Sequence, residues 1–213
     1  MTRFRYNRNM KRIHKAFSHE IEINRSTFIC YLQRVTTEEE AKDYLKEIKK
    51  LHPKATHHCY AYHIDDTLQR SNDDGEPAGT AGIPILEVLH KSEVELIMAI
   101  VVRYFGGVLL GAGGLVRAYS KAVSEALSLT TLYEVQTINR YKIMFPYEYI
   151  NKIEHLLKEE VIEEKDYQEM VAFQYLSNDE QLPSTFAEMT RGNHLPELIE
   201  TIQIEIPLKK EAH

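Results

Sequence analysis

Carboxylates crowd one short segment of the chain. Asp73, Asp74 and Glu76 stand within Asn72-Asp73-Asp74-Gly75-Glu76-Pro77-Ala78-Gly79-Thr80-Ala81-Gly82. Three acids this close could hold a magnesium ion or serve as general acid and base. The plainer reading is loop chemistry, since Asp favours turns and Gly75 and Pro77 fix the backbone. Gly79 and Thr80 complete the candidate residues of this loop. No nucleophile-and-base set stands nearby, so catalysis is not the first expectation.

A second segment runs Arg103-Tyr104-Phe105-Gly106-Gly107-Val108-Leu109-Leu110-Gly111-Ala112-Gly113-Gly114-Leu115-Val116-Arg117-Ala118-Tyr119. It reads as a buried strand, a glycine loop and a helix. A helix amino end exposes free N–H groups and a partial positive charge. Gly106, Gly107, Gly111, Gly113 and Gly114 would let an anion approach the backbone, with Arg117 in the first turn and Lys121 one turn later. Arg103 and Tyr104 would sit at the mouth of the same region. The competing reading gives the glycines to tight turns and close helix–strand packing. A P-loop is excluded, because Gly-Lys-Ser/Thr is absent. Gly111-Ala112-Gly113 begins like a dinucleotide fingerprint, but Val116 stands where the third small residue belongs, so no cofactor is expected.

His57, His58, Cys59 and His63 invite a metal reading. Strand alternation places His57, Cys59, Ala61 and His63 on one face. At roughly 3.3 Å per residue, His57 and His63 are then about 20 Å apart, too far to share an ion. No metal site is expected. Tyr60 and Tyr62 share the opposite face with His58. Exposed, they would form a base-stacking platform; under a helix they would be core, which is the expectation here.

The elements that position these groups follow from periodicity. Glu20–Ile23 and Phe28–Val35 read as strands joined by Asn24-Arg25-Ser26. Thr37 and Glu40 make a capping box before Ala41, Tyr44, Leu45, Ile48 and Leu51, which recur at helical spacing. His57–Ile64 is a strand, Pro84–His90 a short helix, Leu96–Tyr104 a buried central strand and Leu115–Leu129 a helix. The pattern restarts near residues 132–136. Strands follow at Tyr141–Phe145, Val161–Tyr167, Val171–Leu176 and Ile199–Ile206, with helices near Ile150 and Phe186. Their order, βαββαβ, is that of a ferredoxin-like domain. Eight of the nine glycines fall between Gly75 and Gly114, so special backbone geometry is concentrated in one region.

The bulk properties set the frame. With 43% hydrophobic and 27% charged residues among 213, a folded protein of one large or two small domains is expected. Apolar runs such as Leu96–Val102 fall far short of the roughly 20 residues a membrane helix needs, and the start lacks a signal-peptide core. A cytoplasmic location is the default. Cys30 and Cys59 read as reduced core thiols. Residues 1–135 carry 18 Lys/Arg against 17 Asp/Glu, whereas residues 136–213 carry 8 against 15. The acidic second part should repel phosphate backbones, so nucleic-acid contact is expected in the first. Arg3, Arg5, Arg8, Lys11, Arg12 and Lys15 form an acid-free start, read either as an RNA-binding arm or transit segment, or more plainly as a frayed terminus or a start of translation at Met10.

Together the two glycine segments resemble the N-terminal domain of the IMPACT (YigZ-type) family. The resemblance covers about residues 18–131 and rests on the Asp-Gly-Glu-Pro-Ala-Gly-Thr-Ala-Gly and Arg-Tyr-Phe-Gly-Gly runs. It implies an α+β protein. Its first domain would be a two-layer α/β fold with a left-handed βαβ unit, similar to domain IV of elongation factor G. The C-terminal ferredoxin-like domain would be similar to domain V of that factor. The implied division is a variable basic start at 1–17, the IMPACT-type domain at 18–134 and the second domain at 135–213. Eukaryotic relatives act in translational control by competing for an activator of a kinase of initiation factor 2. Their kinase-linked role is not expected to carry over, because the residues read here show no counterpart of an extra domain those relatives carry. Leu109 departs from the pattern, since many members carry lysine there.

The leading expectation is therefore a translation-linked binding protein that is not an enzyme, with RNA or the ribosome as partner. A metal-dependent hydrolase or nuclease of a phosphorylated substrate is one alternative. A protein-interaction module using the acidic second domain is the other. No membrane partner is expected.

Overall fold

A computed structural model of the chain describes residues 10–208. The chain forms two compact units. One runs to Val135 and takes in the chain again from Glu205; the other is Gln136–Ile204. No helix of the described residues is long and apolar enough to cross a membrane.

The first unit is built on a five-stranded antiparallel sheet. Its strands are β2 (Phe17–Ile23), β3 (Ser26–Arg34), β4 (His57–His63), β5 (Gln69–Asn72) and β6 (Ile97–Tyr104), in the order β2-β3-β6-β4-β5. The central strand β6 is apolar from Ile97 to Val102 because both of its faces are covered. Ala99 and Val101 join Cys59 and Ala61 under α2 (Gly82–Lys91) and α3 (Gly111–Leu129). Met98, Ile100 and Val102 join Tyr62 under Ala41 and Ile48 of α1 (Glu38–Leu51). Helices therefore cover both faces, α2 and α3 on one and α1 on the other, so the unit has three layers where two were expected. Tyr60 and Tyr62 lie on that α1 face and pack as core, as expected.

Local chemistry explains the joints. Asn24 and Arg25 both have positive φ, 48° and 64°, and close a two-residue hairpin in which Ile23 pairs with Ser26. Thr37 caps α1 by accepting from the Glu40 N–H. The return bond of a capping box is displaced by one residue, because Glu40 Oε2 accepts from the N–H of Thr36 rather than Thr37. Cys30 and Cys59 are free, buried, and both lie opposite Val101, on either side of it. Two strand spacings put them about 10 Å apart, beyond disulfide reach.

The second unit follows the βαββαβ order. It contains β7 (Tyr133–Phe145), a 3-10 turn at Tyr147–Tyr149 leading into α4 (Ile150–Leu156), β8 (Val161–Tyr167), β9 (Val171–Ser177), α5 (Leu182–Thr190) and β10 (Glu197–Pro207). β9 pairs with β7 and β8, and β10 pairs with β7. Its own core comprises Ile143, Phe145, Ile153, Phe173, Tyr175 and Phe186 among others.

Several expected boundaries move. β5 is Gln-Arg-Ser-Asn, with no apolar residue to mark it, and exists through its ladder to β4. β2 begins at Phe17, before the expected Glu20. α3 begins at Gly111 rather than Leu115; the glycines that make up much of its first turn have low helix propensity and hide that start in the sequence. β7 extends back to Tyr133, where its residues pair with β1 (Lys11–Arg12). Of the basic start, Arg3, Arg5 and Arg8 lie outside the described residues. Lys11 pairs with Glu93 and Arg12 with Glu95 and Glu205, so these two cations are already engaged.

Candidate functional site

The first glycine segment is a loop that caps a helix. Asp73 follows directly on β5, and its carboxylate accepts from the N–H groups of Gly79, Ala81 and Gly82 at 2.8–3.0 Å. This fills the amino end of α2 with the chain's own negative charge. Burial pushes the Asp73 pKa up, but the three backbone N–H donors outweigh it and the net direction is down. Gly82 is required by contact, since a Cβ there would stand 2.6 Å from the Asn72 backbone nitrogen.

Asp74 turns the other way, at φ 43°. Its carboxylate accepts from the His58 N–H at 2.7 Å and from Lys49 Nζ at 3.0 Å. Glu76 points inward and is 8% exposed. Its Oε1 accepts from Arg103 Nη1 at 2.6 Å and from the Tyr119 hydroxyl at 2.7 Å. The Tyr119 hydroxyl also lies 3.3 Å from Cys59 Sγ. Burial drives both groups up, the Cys59 thiol to about 12, which leaves both neutral. Thr80 bonds the Pro77 carbonyl. Gly75 and Gly79 take positive φ in the turns between these contacts. The three carboxylates therefore serve three separate sets of partners instead of converging. Among the described residues no cluster of His, Cys, Asp and Glu could hold a metal ion. His57 Nδ1 bonds the Asp74 carbonyl and His63 Nδ1 bonds the Val94 carbonyl, so both rings are held by backbone.

Two residues expected at the mouth of the second segment lie elsewhere. Arg103 is 5% exposed and neutralised by Glu76, so it presents no charge to solvent. Tyr104 turns to the α1 face, where its hydroxyl is 2.9 Å from His52 Nδ1; alternation along β6 sends it to the side opposite Arg103. Gly106 serves packing. A Cβ there would fall 1.9 Å from the Arg25 carbonyl oxygen, so only glycine lets the loop lie against the β2–β3 hairpin. The N–H groups of Phe105 and Gly106 donate to Thr56 Oγ1 and Ser26 Oγ.

Beyond Gly106 the loop opens. Gly107 and Gly111 have φ of 82° and 69°, and a Cβ on either would meet nothing within 4 Å. Gly114 packs on Leu110. The amino end of α3 has no capping side chain and no acid in its first turn. Arg117 is the seventh residue of α3, not a first-turn residue. Side chains on a helix slant toward its amino end, and its guanidinium reaches back to lie 3.5 Å from where a Cβ on Gly113 would stand. Lys121 is exposed and pairs with Glu125 at 3.5 Å. Phe105, Val108 and Leu109 on the loop and Val116 on α3 are exposed, Leu109 by 87%. Arg25, exposed at the hairpin tip against Gly106, is a neighbour that sequence patterning did not mark. The turn itself was legible; its contact with the loop was not.

Comparison with known proteins gives one consistent answer. Residues 24–127 match the model of the Impact N-terminal domain. The IMPACT family member YvyE of Bacillus subtilis is 47% identical over 166 residues, covering 76% of each chain. The IMPACT family member YigZ of Escherichia coli is 44% identical over 140 residues, covering 64% of this chain and 69% of its own. A crystal structure of a hypothetical protein superposes with a TM-score of 0.57 at 34% identity, over 90% of this chain and 97% of that one.

Proposed function

The chain belongs to the IMPACT family, and from that premise we propose that it is a translation-linked binding protein, not an enzyme, that engages RNA or a ribosomal surface. The contact is the opening of the second glycine segment, from Gly107 to Arg117. One observation carries this reading. The first unit presents two glycine-rich helix starts: that of α2 is filled by Asp73, and that of α3 is left without cap or acid. An uncapped helix start attracts phosphate through free N–H groups and the helix dipole. Exposed Arg117 reaches back over Gly113 in its first turn, and exposed Arg25 lies against Gly106, five residues before the helix. The translational part of the proposal rests on the family resemblance, and the loop geometry supplies the phosphate part.

The carboxylates of the first segment support the same choice. A hydrolase would need some of them free for a metal or a water, yet each is committed to backbone, lysine or arginine partners. The test is retention of RNA and co-sedimentation with ribosomes across a salt series, comparing the wild type with Arg117→Glu. Binding that weakens steeply with salt and is lost in the variant is the expected result. Equal binding by both proteins would refute the assignment of the site.

A further inference from the structure

Phe105 is the outer end of a stack that starts in the core. Phe28 is fully buried and packs edge-on against Tyr119, with ring centroids 5.3 Å apart. The Arg103 guanidinium carbon lies over the Phe28 ring at 5.3 Å and over the Phe105 ring at 5.5 Å. Glu76 fixes that guanidinium from the side through Nη1, and Ser26 Oγ lies 3.4 Å from Nη2. Phe105 itself is 46% exposed.

The backbone that carries the ring is anchored. The Phe105 N–H donates to Thr56 Oγ1 and the Gly106 N–H to Ser26 Oγ. Gly106 is wedged against the Arg25 carbonyl. A side chain ordered before its partner arrives loses little entropy on binding. Phe105 therefore offers an exposed aromatic face backed by Arg103, on a loop that lies against the Arg25 hairpin tip and leads into α3. Aromatic faces beside cationic, backbone-rich surfaces are how proteins hold single strands, since every base has a π-face and every nucleotide a phosphate. Duplex RNA hides its bases within the stack and cannot use such a ring.

We infer that Phe105 is a stacking platform for an unpaired base of single-stranded RNA, adding one layer to the Phe28–Arg103–Phe105 stack while the flanking phosphates face the amino end of α3. This rests on the binding role proposed above and narrows it to unpaired strands. A protein partner would find apolar contacts at Val108 and Leu109, but the cations and the uncapped helix start favour a polyanion.

The chain contains no tryptophan, so Phe105→Trp creates a single fluorescent reporter at the platform. Three probes are titrated at low salt: a short oligoadenylate, an abasic strand of equal length, and a blunt RNA duplex. Stacking predicts quenching of the indole by oligoadenylate and not by the abasic strand or the duplex. Phe105→Ala should weaken oligoadenylate binding by about 5- to 150-fold and leave abasic binding unchanged. Equal oligoadenylate affinity for wild type and Phe105→Ala, with the abasic strand still bound, would overturn the platform and leave the phosphate site standing. A wild type that binds neither strand would remove both. An indole that responds only to an acidic peptide would also overturn the platform and assign the surface to a protein. Phe105→Trp keeps a ring over Arg103, and circular dichroism of both variants checks that each retains the fold.

Discussion

Glu76 Oε1 accepts from Arg103 Nη1 at 2.6 Å in a space where neither side chain is more than a tenth exposed. The pair joins the first glycine segment to the central strand and, through Tyr119, to α3. Removing one charge strands the other in a low-dielectric site, at a cost of about 3–5 kcal/mol. Glu76→Leu and Arg103→Leu should each lower the unfolding free energy by about that much, read as a lower denaturant midpoint at unchanged m. Glu76→Leu with Arg103→Leu should cost less than the sum, because no buried charge is left alone. Additive losses in a double-mutant cycle would show that the two groups do not act as a pair.

Glu205 predicts an acid-sensitive contact. Its carboxylate bonds both Arg34 Nη atoms, at 2.7 and 2.8 Å, and also meets Arg12 and His14. The bond with Arg34 leads in pulling its pKa from 4.5 to about 2, against an opposing push from burial. A carboxyl depressed on folding adds stability that is fully present above its unfolded value and is lost as pH falls through the folded one. The unfolding midpoint should therefore drop between pH 4.5 and about 2. Glu205→Gln should start lower and flatten that part of the profile. An unchanged slope in the variant would assign the acid sensitivity to other carboxylates.

How much of this was legible in sequence depends on whether the signal was periodic or spatial. The Leu96–Tyr104 run could only be a strand covered on both faces, and β6 is that strand. The acids of Asp73–Glu76 read correctly as loop residues, because Asp and Gly favour turns wherever they fall. Arg103 was misplaced. A cation next to a glycine loop looks like an anion ligand, and only the fold reveals that Glu76, 27 residues away in sequence, neutralises it. The glycines divide the same way. Gly106 and Gly82 serve close contacts with Arg25 and Asn72 that no local pattern encodes. Gly107 and Gly111, by contrast, leave open space beside the backbone. The first turn of α3 escaped notice because glycine suppresses the helical signal that would have revealed it.

Ala112→Asp tests the uncapped helix start without disturbing the core, since Ala112 is exposed in the first turn of α3. An acid there repeats what Asp73 does for α2. It should leave stability unchanged or raise it by about 0.3–1 kcal/mol. It should also abolish RNA retention at low salt, by occupying the N–H groups and repelling phosphate. Binding and stability thus move in opposite senses, which no general loss of structure can imitate. Full RNA binding with a raised melting temperature would show that phosphate does not use this helix end.

Leu109 supplies the complementary gain. It stands at the tip of the open loop, 87% exposed, where it buries almost nothing and makes no ion pair. Leu109→Lys should therefore leave the melting temperature within about 0.5 kcal/mol equivalent of the wild type, as expected of a surface substitution. If single-stranded RNA passes over this tip, the new ammonium neutralises one further phosphate and releases the counterions held there. The plot of log affinity against log salt should then steepen by about 0.7 for a single strand. Affinity rises most at low salt and converges on the wild type as salt increases. The same lysine placed at Leu51, exposed at the end of α1 in the same unit, should change net charge equally and leave the slope unaltered. A slope that steepens in both variants reports bulk charge alone, whereas one that steepens only at residue 109 locates the strand on the loop.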